Sequence, residues 1–162
     1  MEYITVKQFL EQPKEVQQYL LKWWKENITQ YDLFYRRMKH NFIERQKYII
    51  INVNKYDITT LELRCNNKET DYLSYQSNVD YWDIETIDDI IPLFVETQLR
   101  NFIEDKLQDK ITDLEYCINP KNDCTPQYKI ENINSNEQNL LQAYWKVACK
   151  IIEEVIGIEG ND

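Results

Sequence analysis

The near absence of glycine constrains this chain more than any other feature of its 162 residues. The two glycines are Gly157 and Gly160, so residues 1–156 contain none. Phosphate-binding loops, dinucleotide-binding folds and the nucleophile turn of serine hydrolases use glycine where the backbone turns tightly or approaches a ligand. The sequence therefore excludes these sites in their usual form. Its turns must be made by Asn, Asp and Pro, as at Asn66-Asn67 and Asn119-Pro120.

Histidine and cysteine offer little catalytic or metal-binding chemistry. His40 is the only histidine, and it lies among cations rather than beside an orienting acid. The four cysteines form no Cys-x-x-Cys pair, although Cys117 and Cys124 could meet across a turn. Glu104-Asp105-Lys106 has the acid-x-Lys spacing of metal-dependent nucleases, but it falls on the polar face of a predicted helix. We therefore predict a non-enzymatic protein with no catalytic residue, metal or cofactor.

The composition predicts one soluble domain over residues 1–162. Apolar residues make up 43% of the chain, which is enough for one hydrophobic core. No apolar run approaches the roughly 20 residues that span a bilayer, and the N-terminus lacks the basic-then-apolar pattern of a leader. Because Lys and Arg number 19 against 28 Asp and Glu, the net charge of −9 disfavours general nucleic-acid binding.

Hydrophobic periodicity predicts an α+β fold. Helix patterns occur after Thr5, after Pro13, over 95–108, and from a capping box of Ser135 and Gln138 to Gly157. Strand patterns occur at 31–35, 48–53, 58–64, 111–118 and 128–133, with a short edge strand from Ile90 to Leu93. We predict a small antiparallel sheet of two hairpins, packed with an N-terminal helical hairpin and two later helices.

Residues 69–99 carry eight acids and no Lys or Arg. Aromatic residues are interleaved with these acids, and residues 66–89 have little periodicity, which predicts a long acidic loop. Such a segment can present a negative surface with rigid aromatic anchors. The candidate partner-binding residues are Tyr72, Tyr75, Asp80, Tyr81, Trp82, Asp83, Glu85, Asp88 and Asp89.

A basic segment offers an alternative site. Residues 36–47 carry five cations against Glu44, a local charge of +4. With the rings of Tyr35 and Tyr48, they could contact single-stranded RNA or an anionic small molecule such as a nucleotide. They could also dock the acidic segment of a second copy, giving a homodimer. The candidate contacts are Arg36, Arg37, Lys39, Arg45 and Lys47.

Three segments resemble a group of hypothetical proteins from phages and prophages of low-GC Gram-positive bacteria. They run from Ile4 (ITVKQFL) to Trp23-Trp24-Lys25, from Ile91 to Lys106 (IPL…QLRNFIEDK), and over 140–148 (LLQAYWKVA). Similar proteins usually have glycine after the tryptophan pair and at the start of the second motif, where this chain has residues 27–32 and Thr97. The resemblance implies a phage origin, and therefore the host cell cytoplasm, but no reaction.

These observations lead to two functional expectations. The first is an acidic phage accessory protein that binds a basic surface on a host protein and inhibits a nucleic-acid-binding defence enzyme, such as a CRISPR effector, by mimicking nucleic acid. The second is a phage protein that binds RNA or a nucleotide through residues 36–47.

Overall fold

The computed structural model describes residues 2–38, 41–55, 59–65, 70–75, 90–118 and 126–157. Helices and antiparallel sheets both occur in these ranges, so the predicted α+β class is confirmed. The chain divides into two compact units. The N-terminal unit comprises residues 6–93, and the C-terminal unit comprises residues 1–5 and 94–162. That the whole chain is one domain stays a prediction.

The N-terminal unit combines two helices with a five-stranded antiparallel sheet in the order β4-β3-β2-β1-β5. The helices are α1 (Val6–Leu10) and α2 (Lys14–Glu26). The strands are β1 (Leu33–Met38), β2 (Asn41–Lys55), β3 (Thr59–Cys65), β4 (Thr70–Tyr75) and β5 (Ile90–Pro92). Because β5 is an outermost strand, the predicted edge position of Pro92 is confirmed.

Helix α2 brings both tryptophans of the Trp23-Trp24 pair into the core, where they are 5% and 2% exposed. The ring of Trp24 packs against Phe34 of β1, with 5.7 Å between ring centroids. Gln17 on α2 is buried, and its side-chain amide donates to the carbonyl of Leu10 at 3.2 Å and to that of Gln12 at 2.7 Å. These bonds fix the turn between α1 and α2.

Strand register decides which face of the sheet is core. Phe34 pairs with Tyr48, and Ile50 pairs with Leu63. Paired residues lie on the same face, and Phe34, Ile50 and Leu63 are fully buried. An irregularity between Ile50 and Asn52 shifts β2 by one residue, and Leu61 is buried on that same face beyond it.

The loop predicted in the N-terminal unit is wrong for part of its length. We expect a loop over residues 66–89, but residues 70–75 form strand β4, which pairs with β3 through all six of its residues. Leu73 lies opposite the buried Leu61, so a single apolar residue and the free edge of β3 are enough to support a strand that its own periodicity does not indicate. Residues 76–89 lie outside the described residues.

The C-terminal unit contains the two later helices and a three-stranded antiparallel sheet in the order β6-β7-β8. The helices are α3 (Glu96–Leu107) and α4 (Leu140–Ile156), and the strands are β6 (Leu114–Ile118), β7 (Pro126–Ile130) and β8 (Ile133–Asn134). The amide of Ile4 donates to the carbonyl of Phe94 at 2.8 Å, which joins the first residues to this unit. Phe94 and Trp145 are buried together, with 6.3 Å between ring centroids.

The predicted capping box of Ser135 and Gln138 is wrong. Helix α4 begins after Asn139, whose side-chain oxygen accepts from the amide of Gln142 at 3.1 Å. Ser135 is buried, and its hydroxyl donates to the carbonyl of Tyr128 on β7. The Ser135 oxygen accepts from the amide of Glu137 at 3.2 Å, so the serine holds the segment between β8 and the helix, four residues before the cap.

Without glycine, several turns use other residues in the left-handed region. Glu131 and Asn132 both have positive φ, 46° and 67°, as the two central residues of the tight β7–β8 turn. Gln108 takes φ 55° at the C-terminus of α3, the position where helices most often place glycine. Tyr31 has φ 75° in the turn before β1. Each of these conformations costs about 1 kcal/mol or more.

We predict that Gln108→Gly stabilises the protein by about 0.5–1 kcal/mol, because it removes left-handed strain at an exposed residue. The free energy of unfolding from urea titrations measures the effect. Asn101→Gly, at an exposed position inside α3, is the matched control and should destabilise. Equal effects at the two positions would contradict the assignment of strain to Gln108.

Candidate functional site

The structure describes only part of the predicted acidic site. Tyr72 and Tyr75 lie on β4, an outermost strand of the N-terminal sheet. The remaining candidate partner-binding residues lie outside the described residues: Asp80, Tyr81, Trp82, Asp83, Glu85, Asp88 and Asp89. Whether these seven form one surface therefore stays a prediction.

Register separates the two described tyrosines of this site. Tyr72 pairs with Glu62, on the face opposite to the buried leucines of β3. Tyr75 pairs with Thr59 and so belongs to the same face as Leu61. Because Tyr72 and Tyr75 are three residues apart, a strand places them on opposite faces. Only Tyr72 is on the face that the buried leucines leave.

The sheet holds both ends of residues 76–89, the central part of the acidic segment 69–99. The chain leaves β4 after Tyr75 at one edge and enters β5 at Ile90 at the other edge. These two strands are four strand positions apart, or roughly 19 Å at the usual spacing of about 4.8 Å. Five of its acids therefore belong to a connection between the two outermost strands of a rigid scaffold.

The basic candidates also divide between the two faces of the sheet. Arg37 pairs with Arg45, and Tyr35 pairs with Lys47, so these four residues share one face of the β1–β2 hairpin. Arg36 pairs with Gln46 and belongs to the opposite face, which it shares with Phe34. Lys39 lies outside the described residues.

The direct pairing of Arg37 with Arg45 is unfavourable for a sheet on its own. Like charges at directly opposed strand positions destabilise an antiparallel pair. Lys47 is the next residue on β2 on the same face, which extends the positive charge. The sequence signal for this arrangement is the alternate spacing of Tyr35 and Arg37 on one strand and of Arg45 and Lys47 on the next, but only the register shows that the two strands pair at these positions.

Glu104, in the acid-x-Lys motif, has a structural role. It lies on α3 with a side chain only 8% exposed, although the sequence predicts the polar face. Its carboxylate accepts from Lys110 Nζ at 2.7 Å, from Arg100 Nε at 3.2 Å and from the amide of Ile111 at 3.2 Å. The Lys110 bond, with help from the Ile111 and Arg100 bonds and against the effect of desolvation, lowers the pKa of Glu104 to about 2. The carboxylate thus holds the chain that follows α3.

The described thiols do not form a reactive site. Cys149 is buried on α4, as predicted, and burial raises the pKa of its thiol to about 12. Cys65 and Cys117 are also unbridged, and Cys124 lies outside the described residues. Across the part of the chain that the structure describes, no group of three or more His, Cys, Asp and Glu residues could hold a metal ion.

A surface cavity of about 370 Å³ lies in the C-terminal unit, where α3 and α4 begin. Its lining residues are Glu2, Val95, Glu96, Thr97, Asn139, Leu140 and Leu141. Helix N-termini attract anions, but two carboxylates of the chain already lie in this lining, and Asn139 donates to Glu2 at 3.5 Å. The cavity therefore adds no anion-binding site.

An aromatic surface in the C-terminal unit is not singled out by the sequence. Tyr116 on β6 is 56% exposed and contacts Tyr128 on β7, with 4.8 Å between ring centroids. Leu114, two residues earlier on the same face of β6, is 44% exposed. The apolar residues at 114, 116 and 118 alternate as in any half-buried strand, so the pattern alone does not distinguish an exposed face from a core face.

Comparison with known proteins identifies no relative: no protein-family model, curated protein or solved structure matches the chain. Within the described ranges, no helix combines the length and the apolar content needed to cross a bilayer.

We predict that Glu104→Gln lowers the urea midpoint at pH 7, because it removes a carboxylate held by two cations and an amide. The folded-state pKa of about 2 lies below the ordinary 4.5, so this contribution is complete above pH 4.5 and disappears towards pH 2. The difference between wild type and variant should therefore shrink over that pH range.

Asp105→Asn is the control for this experiment. It removes the same charge from an exposed carboxylate, whose ion pair with Lys106 is a surface contact at 3.3 Å. A midpoint change as large as that of Glu104→Gln, or a Glu104→Gln effect that is independent of pH, would contradict the role assigned to Glu104.

Proposed function

We propose that this protein is a non-enzymatic phage protein that binds a basic surface on a host protein through its acidic segment, residues 69–99. The partner class is a nucleic-acid-binding defence enzyme, such as a CRISPR effector. The bound segment takes the place of DNA or RNA in the positively charged channel of the enzyme. Residues 69–99 supply the negative charge, and the interleaved aromatic rings supply rigid anchors.

The observation that carries this proposal is the attachment of the segment to the sheet. Eight acids without a single cation occur in 31 residues, and the chain enters and leaves their central part at the two outermost strands, β4 and β5. Binding residues are often carried by connections that a rigid scaffold holds at both ends. Tyr72 lies on β4, the last described strand before residue 76.

The test is competition with DNA for purified CRISPR effectors from low-GC Gram-positive bacteria. We expect the wild-type protein to block DNA binding by an effector, with an apparent affinity that falls as salt rises. A variant with Asp80, Asp83, Glu85, Asp88 and Asp89 changed to Asn or Gln should inhibit at least about tenfold less well.

A matched control keeps the total charge of that variant but leaves the segment intact. It changes five acids on or directly after the described helices to their amides: Glu11, Glu15, Asp105, Glu153 and Glu154. This control should inhibit as well as the wild type. The proposal fails if no effector is inhibited, if inhibition is insensitive to salt, or if the two variants behave alike.

A second function is favoured by the pairing of Arg37 with Arg45. Both are paired on the β1–β2 hairpin, as are Tyr35 and Lys47. Two positively charged residues at directly paired positions favour a bound anion. Single-stranded RNA fits this arrangement, because its phosphates would meet the cations and a base could stack on the ring of Tyr35.

Fluorescence anisotropy with a labelled single-stranded RNA tests this function. Wild type should bind at low salt, with an affinity that falls linearly in log salt. Changing both Arg37 and Arg45 to Gln should reduce that slope by about 1.4, since each contacting cation contributes about 0.7. Lys22→Gln on α2 is the exposed control and should leave the slope unchanged. Absence of RNA binding at low salt would exclude this function and leave the first untouched.

A further inference from the structure

The outer edge of β6 lacks a partner strand among the described residues. In the sheet of the C-terminal unit, β7 is central: β6 pairs with one side of it and β8 with the other. The contacts of β7 with residues 135 and 137 continue the β8 side, where Tyr128 both accepts from and donates to that segment. Within the part of the chain that the structure describes, no strand pairs with the N–H and C=O groups along the outer side of β6.

Strand β6 also lacks the features that usually protect a free edge. Its sequence, Leu-Glu-Tyr-Cys-Ile, contains no Lys, Arg or Pro. Instead it exposes Leu114 by 44% and Tyr116 by 56%, and the Tyr116 ring is supported from behind by Tyr128. A supported, half-exposed tyrosine is a typical anchor at protein interfaces, because it buries a large area with little loss of side-chain freedom.

Charge indicates what would pair with this edge. Residues 1–5 and 94–162 contain seven Lys and Arg against fourteen Asp and Glu, a net charge of −7. The carboxylate of Glu115 on β6 is half-exposed, and its 3.7 Å contact with Lys129 leaves room for a second cation. A second copy would bring a further charge of −7, whereas a basic segment would be attracted.

We infer that the outer edge of β6 binds an extended, basic segment of a partner protein, which adds to the sheet as an antiparallel strand. Main-chain hydrogen bonds along β6 provide the affinity, and alternate side chains provide the specificity. Residues opposite Leu114 and Tyr116 are apolar, and the residue opposite Glu115 is Lys or Arg. This site is separate from the acidic segment, so it does not depend on the function proposed above.

The probe is a fluorescein-labelled hexapeptide, Ile-Thr-Val-Lys-Val-Thr, read by anisotropy at low and at physiological salt. We expect binding to the wild-type protein, together with slowed hydrogen exchange of the β6 amides. Tyr116→Lys should weaken binding about tenfold, because it removes the aromatic anchor and places a charge opposite an apolar residue of the peptide. Tyr31→Lys, at a tyrosine that is 66% exposed in the N-terminal unit, is the matched control and should change binding less than twofold.

Three further arms keep the test independent of folding defects. Glu115→Lys leaves both tyrosines in place and should also weaken binding about tenfold, with an unchanged circular dichroism spectrum. Two peptides are each N-methylated at alternate residues, one at the amides that would pair with β6 and the other at the amides that would point away from it. The first peptide should not bind, whereas the second should bind. A peptide with Glu in place of Lys should bind more weakly than the original.

Four results would overturn the inference. They are no binding to the wild type, equal binding of both N-methylated peptides, equal binding by the wild type and both β6 variants, and sedimentation of the wild type alone as a dimer that Tyr116→Lys dissociates. The last result would assign the edge to a second copy of this chain. Loss of DNA competition by the acidic-segment variant, with peptide binding unchanged, would show that the two sites act separately.

Discussion

The contact between α2 and the sheet determines what the N-terminal unit can present to a partner. Trp24 packs on Phe34 at 5.7 Å, which commits one face of β1 to the core. Strand side chains alternate with a period of two, so this choice propagates through the register to Ile50, Leu61 and Leu63. The opposite face then takes the alternate residues of each strand, such as Tyr35 on β1 and Lys47 on β2. Weakening the Trp24 contact would therefore disturb the basic candidate site, although that site does not contain Trp24.

Sequence patterns predict those elements whose own residues carry the apolar signal. Helices α2, α3 and α4 each have a wide stripe, and β2 and β3 are rich in apolar and β-branched residues, so their existence follows from periodicity. Strand β4 escapes prediction because its pairing depends on β3 rather than on its own sequence. Ser135 satisfies the capping pattern as well as Asn139 does, and the partner that holds Ser135 beside β7, the Tyr128 carbonyl, is seven residues away in the sequence. Failures of this kind come from partners that the local sequence does not contain.

The candidate site shows the same limit more sharply. The sequence identifies five cations in residues 36–47, but it cannot tell that Arg36 belongs to the core face while Arg37 opposes Arg45. Those facts depend on the register of the hairpin, and a shift of the register by one residue would exchange the two faces. Likewise Tyr72 and Tyr75 are equivalent in the sequence and separated in the sheet. Glu104 matches a nuclease spacing, but Lys110, Arg100 and the Ile111 amide occupy its carboxylate, so the motif has a structural explanation.

The net charge of −9 does not by itself decide between the two functions. Residues 6–75 carry twelve Lys and Arg against nine Asp and Glu, whereas residues 76–99 carry six acids and no cation. At physiological salt a charge is screened beyond about 8 Å, so a ligand responds to the segment that it touches and not to the sum over the chain. The acidic segment and the basic hairpin face can therefore each attract a partner of opposite sign. Each attraction weakens as salt rises, so salt dependence alone does not identify the site, and only neutralisation of one segment at a time separates the two.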